Sequence, residues 1–156
     1  MDHHRLIRGR HFISTDPGLI DIDAVHRFLS TESYWARGIP REAVEHAARH
    51  SLLFGLYDAE RTREDGAPVQ LGYARVLSDR TMLAYLLDVF ILAEHRGRGL
   101  ARWLVETILD HPELREVPTW MLGTRDSHGL YAKLGFVPVE GSGRYMRRAV
   151  PPPWSR

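Results

Sequence analysis

Apolar and polar positions along this chain follow two periods, one strand-like and one helical, and the switches between them lay out a mixed α/β domain. Residues 11–15 (His-Phe-Ile-Ser-Thr) read as a first strand, stopped by the turn residues Asp16, Pro17 and Gly18. Ile22, Val25, Phe28 and Leu29 then recur at helical spacing behind Asp21, a suitable N-cap, with Asp23 in the first turn. Residues 30–33 close that helix and lead into a loop that holds two adjacent aromatics, Tyr34 and Trp35. Pro40 suits the first turn of a second helix, whose narrow apolar stripe is Ala43, Val44, Ala47 and Ala48.

Residues 51–57 then predict a strand, the polar run 58–68 a hairpin connection, and residues 69–77 the returning strand. Ser78, Asp79 and Arg80 turn the chain into a long apolar strand that begins near Thr81 and is interrupted by one charge, Asp88. A glycine-bearing turn follows, then a helix to about Leu109. Residues 119–124 predict a buried strand, residues 125–135 a short helix closed by Gly135, and residues 136–139 and 144–148 two last strands around a turn at 140–143. The expectation is about seven strands and four helices. Residues 1–10 are an N-terminal extension, 11–148 one domain, and 149–156 a Pro-rich tail that cannot join a central ladder.

Composition narrows the function more than the fold. At 156 residues the chain suits one domain that buries about two-thirds of its unfolded surface. Twenty-one Lys and Arg against 20 Asp and Glu leave a formal charge of +1, so neither nucleic acid nor a membrane surface is an expected partner. The absence of cysteine removes disulfides, thiolate nucleophiles and Cys-ligated metals, and no metal is expected. The first residues carry no apolar signal segment, and no window reaches the roughly 18 apolar residues of a spanning helix, so the expected location is cytoplasmic.

The chemistry concentrates at residues 93–101, Ala-Glu-His-Arg-Gly-Arg-Gly-Leu-Ala, between the long strand and its helix. Gly97 and Gly99 let the backbone enter the helix with no side chain in the way, so unpaired amides point outward beside Arg96, Arg98 and the positive end of the helix dipole. Such a cup suits a phosphate. A P-loop would need Lys followed by Ser or Thr, where Leu100 and Ala101 stand; a dinucleotide fold would place its glycines after the first strand.

The pattern Arg96-x-x-Gly99-x-Ala101 resembles the pyrophosphate loop of the GNAT superfamily of N-acetyltransferases, and residues 130–136 (Leu-Tyr-Ala-Lys-Leu-Gly-Phe) resemble a second segment of that family. The order of elements over residues 11–148 is similar to its fold. The resemblance implies a mostly antiparallel twisted sheet splayed at a parallel pair, with acetyl-CoA or another short acyl-CoA in the cleft. It implies pantetheine contacts near a bulge in the long strand, at Val89, Phe90 and Ile91, and a pyrophosphate held by the amides of Arg98, Gly99, Leu100 and Ala101, with Lys133 touching a CoA phosphate or facing solvent.

Acyl transfer to an amine needs a neutral nucleophile, and an amine of pKa about 10.4 is neutral in roughly one molecule in 10³ at pH 7. The departing thiolate benefits from an acid, and Tyr131 matches the family's acid position; packing on the cofactor is its plainer role. Asp88 is either a base or a structural carboxylate; His128 is an alternative base or a polar neighbour of a helix cap. The resemblance places the acceptor near Tyr34 and Trp35, with Arg37, Tyr73, Arg75 and Tyr85 as further candidates, although paired loop aromatics also serve as lids. The expected partner is a small-molecule or peptide amine, and the chain is a monomer or a homodimer. The reading is a direct-attack N-acetyltransferase, the alternative a non-catalytic acyl-CoA-binding or regulatory module.

Overall fold

The computed structural model describes residues 2–141 and 143–155. The chain divides into two compact units, Met1–Leu122 and Gly123–Arg156. The first unit holds a six-stranded sheet in chain order: β1 (Arg5–Arg8), β2 (His11–Ser14), β3 (Leu52–Thr62), β4 (Pro68–Ser78), β5 (Leu83–Ile91) and β6 (Thr119–Met121). Neighbours are antiparallel from β1 to β5, and β6 runs parallel to β5. A mixed sheet with one parallel pair is the expected class, with six strands in place of seven.

Helices α1 (Ile22–Arg27) and α2 (Arg41–Arg49) cover one face of the sheet. Asp21 caps α1 as expected, its carboxylate accepting the Ala24 amide at 3.1 Å. Val25, Phe28 and Leu29 meet Val44, Ala48, Leu53, Tyr73 and Phe90 in one buried cluster. Strand residues that alternate with these, among them Phe54, Leu56, Ala74, Val76 and Leu86, are buried as well, so the middle of the sheet is covered on both faces. Helix α3 (Leu100–Leu109) packs on β3 and β5 through Leu100, Trp103, Leu104, Val105 and Ile108. Among the described residues no helix is long and apolar enough to cross a membrane.

Several expectations change here. Residues 5–8, assigned to an extension, form an edge strand; the Arg5 guanidinium lies over the Phe12 ring at 3.9 Å and that of Arg8 over Trp103 at 4.6 Å, cation–π contacts that hold the strand to apolar neighbours. The hairpin connection is only 63–67, because β3 continues through the polar residues 58–62. Asp58 supports that extension: it is buried, its carboxylate accepts both Arg10 Nε at 3.2 Å and Arg10 Nη2 at 2.6 Å, and the guanidinium holds it below the usual carboxylate range. Strand β6 stops at Met121 and its residues are partly exposed, where a buried strand to 124 was expected.

The second unit contains the short helix α4 (His128–Ala132), with Gly135 at φ 92° beyond its end. The two strands expected at 136–139 and 144–148 are not formed, and Val137 and Met146 are 77% and 99% exposed. Ser142 of the expected turn lies outside the described residues, as do Met1 and Arg156 of the two ends.

His111, just past α3, sits edge-on to His4 and Phe54 and is buried. Its Nδ1 accepts the Glu113 amide at 3.2 Å, and burial lowers its pKa from the ordinary value. The unfolded chain takes up this proton near about pH 6.5 while the folded one resists it. Stability from this group is therefore complete above that pH and declines as pH falls through it. Thermal melts between pH 7.5 and 5.5 should show wild-type Tm falling more steeply than that of His111→Gln; parallel slopes would contradict this.

Candidate functional site

The centre of the first unit is a β-bulge. Tyr73 pairs with Phe90 and Arg75 with Leu87, so Asp88 and Val89 stand opposite Ala74 alone. Asp88 takes up the extra residue at φ 54°, in the left-handed region that Asp tolerates at a cost of about 1 kcal/mol. On β4, Gly72 pairs with Ile91, and a Cβ there would lie 2.6 Å from the Ile91 Cδ1 and 3.0 Å from the Phe90 carbonyl oxygen. An alanine there would crowd the Phe90 carbonyl and oblige the Ile91 side chain to move.

The bulge aims the Asp88 carboxylate at two side chains, and through one of them reaches a third element. Trp35 Nε1–H donates to its Oδ1 at 2.8 Å, and Arg75 Nε–H donates to its Oδ2. Arg75 Nη1 also donates to Ser51 Oγ at 3.3 Å, and Ser51 donates to the Ala47 carbonyl in the last turn of α2 at 2.7 Å. The side chains of Arg75 and Asp88 are 16% and 11% exposed, so solvent screens this pair less than a surface one.

The loop that carries Trp35 is braced from below. Residues Phe28–Glu32 make a π-helical turn, a form that recurs at functional sites. Buried Ser33 then donates to the Leu29 carbonyl at 2.6 Å and accepts the Ala36 amide at 3.1 Å, and His26 Nε2–H donates to the Ile39 carbonyl at 3.0 Å. The Trp35 ring lies 6.2 Å from Phe28, which stacks on Phe90 at 3.9 Å, and Tyr34 meets Trp35 edge-on at 5.0 Å. Tyr34 and Trp35 still expose about two-fifths of their surface, at 38% and 42%.

Beyond the bulge β5 has a free edge. Its pairing with β6 ends at Tyr85 and Met121, so residues 86–91 have no strand neighbour on that side among the described residues. The chain then passes a 3-10 turn (Ala93–His95) into Gly97 at φ 78° and Gly99 at φ 75° before α3 begins. A Cβ at either glycine would meet nothing within 4 Å, so backbone angle and not packing requires glycine there. Trp103 N–H reaches the Gly99 carbonyl at 3.1 Å; by helix geometry the amides ahead of it have no partner within the helix. Arg96 is turned back, its Nε–H donating to the Ile91 carbonyl at 2.9 Å, which ties the loop to the end of the strand.

The expected residues thus separate into groups. Asp88, Trp35, Tyr34 and Arg75 come together at the bulge, and Val89, Phe90 and Ile91 follow on the free edge, Phe90 and Ile91 with buried side chains. Arg96 to Ala101 continue from them. Tyr73 is buried in the core, which pushes its phenol pKa up and makes it a wall residue; Tyr85 remains 37% exposed. In the second unit, Tyr131 is buried and meets Phe136 edge-on at 5.7 Å, while Lys133 and His128 are exposed. Sequence reasoning missed Ser51 and Ser33, two ordinary serines whose only signal was their place at helix ends.

The Acetyltransferase (GNAT) domain model matches residues 59–138. The chain is 36% identical over 141 residues to "Putative acetyltransferase FG08082" of Gibberella zeae, covering 81% of this chain and 78% of that protein. A solved GNAT-family structure from Xanthomonas campestris pv. campestris is 42% identical, with a TM-score of 0.83 over 94% of this chain and 97% of that one. The ribosomal-protein-S18-alanine N-acetyltransferase of Escherichia coli, at 21% identity, TM-score 0.59 and coverage of 80% and 76%, shares the fold. The chain belongs to the GNAT family of acetyltransferases and is an acyltransferase enzyme. Enzymes of this family use acetyl-CoA and act on amine acceptors.

Gly72 tests the bulge directly. Gly72→Ala should destabilise the protein by about 1–3 kcal/mol, the usual cost of overpacking, measured by urea unfolding. An unchanged midpoint would mean that the strands do not approach as described.

Proposed function

We propose that this enzyme is an N-acetyltransferase that moves the acetyl group of acetyl-CoA to an amine, of a small molecule or a peptide, by direct attack. The observation that carries the reading is the continuity of a free β5 edge, a bulge at its centre, and a positive-φ glycine turn opening α3. An extended amide-bearing chain can add to such an edge as a strand would. A pyrophosphate suits the outward amides of Arg98, Gly99, Leu100 and Ala101 at the helix start. Val89, Phe90 and Ile91 would hold the pantetheine, Gly97 and Arg96 would shape the loop, and Lys133 would meet a CoA phosphate. The unpaired β5 edge and the glycine turn fit the group, which supplies an activated thioester.

The remaining work falls to the chain's own groups. The neutral amine forms a C–N bond to the acetyl carbon as the C–S bond breaks, and the amine's surplus proton leaves to water. Tyr131, the acid position of the matched segment, gives its phenolic proton to the departing thiolate and regains one from solvent. Asp88 accepts one donor at each oxygen, Trp35 at Oδ1 and Arg75 at Oδ2, so its carboxylate already carries a structural task. We therefore assign it to holding the site. Tyr34, Trp35 and Tyr85 offer exposed aromatic surface on the acceptor side, with buried Tyr73 as the wall behind.

Thiol release from acetyl-CoA should rise with at least one member of a panel of small amines and peptide N-termini. Tyr131→Phe should lower kcat by about 10²-fold while calorimetry finds acetyl-CoA affinity within about twofold of wild type. Acetyl-CoA binding without transfer to any amine would contradict the activity, and full turnover by Tyr131→Phe would contradict the acid.

A further inference from the structure

Asp88 is an expensive residue to keep where it stands. Its left-handed backbone would be relieved by glycine, and its carboxylate is largely withdrawn from water. What the side chain provides is a link among segments far apart in sequence: the loop between α1 and α2 through Trp35, the middle of β4 through Arg75, and, through Ser51, the end of α2. Trp35 lies 53 residues from Asp88 in sequence. Apart from ring contacts with Phe28 and Tyr34, this indole bond is the polar tether of an otherwise exposed ring. Phe90, two residues further along the same strand, supports the loop from beneath by stacking on Phe28. One strand therefore grips the loop twice, and the polar grip depends on a charge that Arg75 neutralises and orients.

We propose that Asp88, oriented by Arg75 and Ser51, is a positioning residue that clasps the Trp35 loop to the β5 bulge and thereby sets affinity for the acceptor amine. The proposal rests on the reading that this loop borders the acceptor site. The donor side is not involved, because the free β5 edge and the glycine turn need no contact from Trp35. A hydrogen bond to a charged group contributes about 1.5–3 kcal/mol, so losing it should weaken acceptor binding by roughly tenfold or more.

The test uses the full chain, with Asp88→Asn, Trp35→Phe and the double variant. Asparagine keeps the shape and tolerates the left-handed backbone but loses the charge, and phenylalanine keeps a ring but loses the donor. In 15N-labelled protein without ligand, the Trp35 indole resonance, identified by its loss in Trp35→Phe, should shift in Asp88→Asn and exchange with solvent several-fold faster. With an acceptor found by thiol release, each single variant should raise the acceptor KM about tenfold, leaving acetyl-CoA KM and kcat within about threefold. The double variant should be no worse than the weaker single one. An unchanged indole signal in Asp88→Asn would overturn the clasp. So would a loss confined to kcat, with the acidic limb of the pH profile removed, that adds to the effect of Trp35→Phe; Asp88 would then be the base. If no amine is acetylated by the wild type, the activity reading fails, and the indole signal alone still decides whether the clasp exists.

Discussion

One extra residue in β5 governs the rest of the site. A regular antiparallel pair would carry the alternation unbroken from Leu83 to Ile91, and Asp88 would fall on one face as an isolated charge in an apolar strand. The bulge absorbs that residue at φ 54°, aims the carboxylate at Arg75 and Trp35, and returns Phe90 to the face where it stacks on Phe28. Gly72 makes the close strand approach possible, with no room for a Cβ beside Ile91. Past the end of β6, residues 86–91 of the strand have no strand neighbour on that side among the described residues. The loop of Tyr34 and Trp35, proposed for the acceptor, and the β5 edge, proposed for the donor, therefore depend on the same irregularity.

The core around it makes the irregularity affordable. Tyr73, Phe90, Phe28 and Leu29 are nearly inaccessible to water, and close packing there over-determines the backbone on either side of Asp88. Arg75 supplies the opposite charge that keeps the carboxylate from being stranded, and Ser51 anchors that guanidinium to the end of α2. The loop of Tyr34 and Trp35 is held by Ser33 and His26 as well, so it is an exposed aromatic surface on a braced backbone.

What could be read from the residues alone was mostly local. The Asp21 cap, the apolar stripe of α2, the start of α3 after Gly99 and the role of Gly135 each depend on a few neighbours in sequence, and each is found. The family segments at residues 96–101 and 130–136 were legible for the same reason. The bulge was legible only through the family resemblance, near Val89 to Ile91, because a count of two residues against one exists only once β4 and β5 are paired. The length of β3 was hidden too: polar residues 58–62 look like a loop until Arg10 reaches Asp58 from the far end of β2. β1 was hidden by its arginines, whose guanidinium groups lie over the rings of Phe12 and Trp103. Residues 136–139 and 144–148 failed in the opposite sense, since apolar alternation by itself does not make a ladder. Asp88 stood out as a charge in an apolar strand, yet its chemistry followed from partners far away in sequence.

The claim that the β5 edge and the glycine turn form one continuous donor site is open to a direct measurement, amide chemical-shift mapping of 15N-labelled protein titrated with acetyl-CoA. The account predicts that the amides of Val89, Phe90 and Ile91 and those of Arg98, Gly99, Leu100 and Ala101 shift together with a single saturation curve. Saturable shifts that leave both stretches unmoved would contradict it.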